Sequence, residues 1–127
     1  MIEFNKANDD SGPPSPNVQV RKAQCHQKLG DLKKALSIVE EAVTLYPEHS
    51  LVLATLGEVY ESKGESEKAL ASWKSVHELN PYDLSTQEAL IRLYQQQGRI
   101  EKAEQHKRYA QILSTGGAIY TGDSNAK

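Results

Sequence analysis

The 127-residue chain has little of several things. It holds one cysteine, Cys25, so no intrachain disulfide framework can form. No second cysteine is present for a multi-cysteine thiolate metal site. The longest apolar run, Leu51-Val52-Leu53-Ala54, is far too short to cross a bilayer. Neither sign of charge dominates: 15 Lys and Arg stand against 17 Asp and Glu, for a net charge of −2. That balance makes neither a nucleic acid nor an anionic membrane the expected partner. Aromatic residues are 6% and the mean hydropathy is −0.63, which suits a thin or elongated fold better than a thick globule. The chain opens Met1-Ile2-Glu3-Phe4-Asn5, with no basic and then apolar leader pattern, which leaves the cytoplasm as the default compartment.

Residues 1–15 are rich in Asn, Asp, Gly and Pro, the composition of a flexible leader. Ser15 before Pro16 reads as a helix N-cap with proline at the first helical position. From there the sequence repeats itself. Gly30, Gly64 and Gly98 are spaced by 34 residues, and so are Ala35, Ala69 and Ala103. Leu45, Leu79 and Leu113 keep the same interval, as do the pairs Pro47/Pro81, Tyr60/Tyr94 and Leu56/Leu90. Several independent columns at one period signal a solenoid.

Each unit divides into two helices. Leu53, Leu56, Gly57 and Tyr60 fall at i, i+3, i+4 and i+7, one helical face. After Gly64, Ala69, Leu70, Trp73 and Val76 do the same. The glycines suit a left-handed helix end, and the prolines close the second helix. The pattern predicts helices over about 17–29, 32–45, 51–63, 66–79, 84–97 and 100–113. Gly57 and Ala69 are small so that paired helices can nest. Trp73 at core spacing is predicted to be packing.

This pattern resembles the tetratricopeptide repeat family, whose unit carries W-x₂-L-G-x₂-Y followed by a small residue, an aromatic and a proline. Residues 50–83 match best, through Leu53, Leu56-Gly57, Tyr60, Ala69, Trp73 and Pro81. Residues 84–117 keep Leu90, Tyr94, Gly98, Ala103 and Ala110, but carry Ile91 at the glycine position and Thr115 in place of the proline. Residues 16–49 are weaker in their first helix, where Gln19 and Lys22 replace bulky apolar residues and His26 replaces tyrosine. The resemblance implies an all-α, right-handed solenoid of three helix-turn-helix repeats (16–49, 50–83 and 84–117), with 118–127 as a flexible tail.

No catalytic, metal or cofactor site is expected. His26, His49, His77 and His106 have no short ligand spacing, and no glycine-rich phosphate loop occurs. Glu65 and Glu67 read as helix caps or solvated faces, and Ser66 as helix-start chemistry. The resemblance implies instead a scaffold or adaptor that holds another protein or peptide in a concave groove lined by the first helix of each repeat. The residues it places there include Asn17, Val20, Arg21, Gln24, Leu51, Thr55, Glu58, Glu88 and Arg92. Members that bind the carboxylate tails of heat-shock chaperones need cations where this chain has Val20, Ser85 and Ala89, so that role is not expected. The alternative is self-association, as a homodimer or longer assembly, through an uncapped last helix bearing Ile100, Ala103, Tyr109 and Leu113. The apolar triplet Ala118-Ile119-Tyr120 could instead fold over that helix, or a further repeat could follow it.

Overall fold

The computed structural model describes residues 13–115, and about four fifths of them lie in six helices. These are α1 (Pro16–Lys28), α2 (Leu32–Leu45), α3 (Ser50–Lys63), α4 (Ser66–Leu79), α5 (Leu84–Gln96) and α6 (Ile100–Thr115). No strand occurs among the described residues. Most of the expected leader, and the whole of the expected tail with Ala118-Ile119-Tyr120, lie outside them.

The helix ends follow from local chemistry. Ser15 Oγ accepts a hydrogen bond from the Val18 amide at 3.3 Å, and Pro16 fills the first turn without leaving an orphan donor. Asp31 caps α2 through the Lys34 amide. At α5, one oxygen of Asp83 accepts from the Ser85 amide and hydroxyl, and the other accepts from the Thr86 hydroxyl. Ser66 does not cap α4. It is the first residue of that helix, and Glu65 stands at the cap position without a side-chain bond.

Gly30, Gly64 and Gly98 all have positive φ, at 83°, 81° and 74°. In each, the glycine amide donates three residues back and the next amide donates five residues back, as in Gly64 to the Glu61 carbonyl and Glu65 to the Tyr60 carbonyl. One paired closure thus terminates α1, α3 and α5 in turn. A Cβ on Gly64 would meet open space, so only the backbone conformation opposes a side chain there. Gly64→Ala is therefore expected to cost about 1–2 kcal/mol, measured by urea unfolding.

The two helices of a repeat pack against each other, and each second helix packs on the next first helix. This leaves α3 between repeats, with Val52, Leu53, Thr55, Gly57 and Val59 buried around it. Val52 and Val59 join one core with Val20, Ala23, Ala35, Val39 and Ala42. Leu53 joins a second with Ala69, Leu70, Trp73, Val76, Leu90, Leu93 and Tyr94. Partly buried Val43 touches both, so the apolar interior runs continuously along the stack.

Gly57 marks the tightest approach. A Cβ there would lie 2.6 Å from Trp73 Nε1 and 2.8 Å from Cδ1. The indole is buried, and its Nε1 has no hydrogen-bond partner among the described residues. Trp73 thus acts by packing.

Candidate functional site

The first helices of the three repeats, α1, α3 and α5, carry the residues expected to meet a partner. Asn17, Val20, Arg21 and Gln24 of α1 and Leu51 of α3 line one hollow of about 470 Å³. Arg21 and Asn17 are exposed at its edge, and Val20 forms a buried apolar floor. Leu51 stays 42% exposed, a large apolar group left uncovered beside polar neighbours.

Thr55 is corrected by the structure. It is 1% exposed, and its hydroxyl donates back to the Leu51 carbonyl at 2.8 Å, so it can touch no partner. The reason is that α1 packs directly on α3, which removes part of the α3 surface from the groove. By contrast, α3 and α5 stand further apart. Arg92 of α5 joins them by a forked pair to Glu61, with nitrogen–oxygen distances of 3.0–3.1 Å. Glu61 is also a groove position of its repeat, but the 31-residue separation hid its pairing with Arg92. On the other side of α3, Gln27 Nε2 donates to Ser62 Oγ at 3.0 Å.

Arg92 is therefore engaged within the chain. Glu58 sits nearby on α3, with its pKa raised above 4.5, first by burial and then by repulsion from Glu61, against a lowering effect of Arg92. It is a partly desolvated carboxylate whose neighbouring cation is held by Glu61. Glu88, on α5, is exposed.

The last helix is also corrected in part. Ala103 is 1% exposed and belongs to the second core, so it is not available for self-association. Tyr109 is half-buried, edge-on to His77 with centroids 5.6 Å apart. Leu113 is half-buried too, whereas Ile100 and the unforeseen Ile112 are exposed. No group of three or more His, Cys, Asp or Glu among the described residues could hold a metal ion, and no described helix is long and apolar enough to cross a membrane.

Comparison with known proteins agrees with this architecture. The sequence profile of the tetratricopeptide repeat matches residues 16–49, the repeat whose first helix departs most from the motif. The chain is 32% identical over 83 residues to the TPR repeat-containing protein YpiA of Bacillus subtilis (strain 168), covering 65% of this chain and 20% of that protein. It is 35% identical over 60 residues to the Protein CTR9 homolog of Arabidopsis thaliana, covering 47% of this chain and 6% of that one. The chain thus spans a fifth or less of the length of either relative. Among solved structures, a crystal structure of MamA superposes with a TM-score of 0.77 at 19% identity, over 84% of this chain and 62% of that one. A MamA chain from Desulfovibrio magneticus RS-1 gives 0.73 at 20% identity, over 77% and 55%. With the profile on the first unit, the same 34-residue register through the next two, and a shared helical stack, this chain is a solenoid of tetratricopeptide-like repeats.

Proposed function

We propose that this chain is a non-catalytic interaction module whose concave face, built by α1, α3 and α5, binds an extended segment of another protein. The hollow shared by Asn17, Val20, Arg21, Gln24 and Leu51 carries this reading, because five side chains from two repeats converge on it. Its apolar floor, uncovered leucine and polar rim suit one anchored side chain with hydrogen bonds to the flanking backbone. A preformed surface lowers the ordering cost of the bound segment.

The charges give the segment a direction. Arg21 and Lys28 are exposed on α1, while Glu58 on α3 and Glu88 on α5 lie further along. An acidic group near α1 and a basic group near Glu58 would complement them. The basic group would also supply Glu58 with the cation that Glu61 withholds.

Selection from a random peptide display library tests this. Enriched peptides are expected to carry an apolar anchor between an acidic and a basic residue. Both Arg21→Glu and Leu51→Arg should weaken them at least about tenfold, a loss of about 1.4 kcal/mol, with helicity unchanged. Undiminished binding to both variants would place the contact elsewhere. Self-association through α6 is a second reading, favoured by the exposure of Ile100 and Ile112. It requires a solution mass that rises with concentration.

A further inference from the structure

Where the second and third repeats meet, three polar side chains from three helices interlock. Gln87 of α5 is fully buried. Its side-chain nitrogen lies 2.9 Å from His77 Nδ1 on α4, and its side-chain oxygen lies 2.6 Å from His106 Nδ1 on α6. The imidazoles pack edge to face, with centroids 5.8 Å apart. His106 also stacks on the buried Tyr94 ring, and His77 meets the edge of Tyr109.

An amide has one donating end and one accepting end. As placed, its NH₂ donates to His77 Nδ1, which must then carry a lone pair, and its oxygen accepts from the Nδ1–H of His106. Turning the amide over exchanges the two roles and changes nothing else. In either orientation one imidazole must accept at Nδ1 and is therefore neutral. The cluster accommodates one imidazolium but not two, because a second Nδ1–H would face the NH₂ of a buried amide.

We propose that His77, Gln87 and His106 form a proton-operated latch that holds the third repeat on the second when at least one imidazole is neutral and releases it when both are protonated. The surroundings reinforce this sense. Lys74 of α4 and Lys102 of α6 act on His106 with positive charge, and so does His77 when it is protonated, while α5 presents the neutral Gln87 and Tyr94. Burial and these charges hold His106 below its ordinary 6.5, burial contributing most. A histidine whose folded pKa is lowered contributes stability that is complete above the unfolded pKa. That contribution is lost as pH falls below 6.5 toward the folded value. The latch concerns how α5 is attached and stands whether or not the groove binds a peptide.

The test uses the full chain and needs no substitution at first. Long-range proton–nitrogen NMR at pH 8 should find His77 and His106 in opposite tautomers, one protonated at Nδ1 and the other at Nε2. Between pH 7 and 5, amide exchange in α5 and α6, corrected for its intrinsic pH dependence, should accelerate relative to α1 and α2. The acceleration should reach on the order of tenfold per pH unit where opening the joint takes up one proton. Gln87→Glu should reverse the trend, because a carboxylate accepts from both imidazolium groups and tightens the joint in acid. Like tautomers in the two rings, or equal acceleration in both halves of the wild-type chain, would overturn the latch. So would a Gln87→Glu chain that folds and still loosens in acid.

Discussion

Replacing Gly57 with alanine is expected to destabilise the protein by about 1–3 kcal/mol, the usual cost of forcing atoms into a filled core. For a domain of this size that is a fall of roughly 4–8 °C in Tm per kcal/mol. Two effects of opposite sign compete at this position. Alanine is favoured over glycine inside a helix by about 1 kcal/mol. Against that, the new Cβ would sit 2.6 Å from Trp73 Nε1 and 3.0 Å from Cε2, on the inner ring of an indole that is 4% exposed. That ring cannot swing into solvent, so α3 and α4 must separate. The competition supplies a control. In a Trp73→Leu background the obstruction is gone, and Gly57→Ala should then become neutral or stabilising. A double-mutant cycle on denaturant midpoints reads this coupling. Trp73 is the chain's only tryptophan, so its emission should also shift in the Gly57→Ala single variant.

The second large effect is expected at Leu90, which is wholly buried in the core shared by the second and third repeats. Leu90→Ala removes that volume beneath α5 and should cost about 2–5 kcal/mol. Because a solenoid is stabilised by nearest-neighbour contacts, the loss should be uneven along the chain. Hydrogen exchange should show α5 and α6 losing protection first, while α1 and α2, packed around Ala23, Val39 and Val52, retain more of theirs. Uniform loss along all six helices would mean that the stack unfolds as one unit.

The repeat is written plainly in the sequence, and the reason is physical. A 34-residue unit must place a left-handed glycine, a helix-stopping proline and a small core residue at fixed offsets, and these choices leave columns. The six helices accordingly lie within a residue or two of the boundaries that the columns predict. Contacts between units leave no columns. The pairs His77–Gln87 and Glu61–Arg92 are separated by 10 and 31 residues. Each depends on how far one repeat is rotated onto the next, which the spacing of apolar residues does not encode. Thr55 and Ala103 fail as surface residues for a related reason. A repeat position names a face of a helix, while the packing of neighbouring helices decides whether that face reaches water. Val20 and Leu51 line the same hollow, Val20 as a buried member of the first core and Leu51 as an exposed leucine.

The two ties that brace the first helices have different chemistry. Gln27 and Ser62 link α1 to α3 through neutral groups, beside direct helix packing, whereas Arg92 and Glu61 link α3 to α5 by opposite charges in partial contact with water. Dissolved ions screen the second tie and leave the first nearly untouched. In mechanical terms, added salt is expected to loosen the brace between α3 and α5 more than the one between α1 and α3.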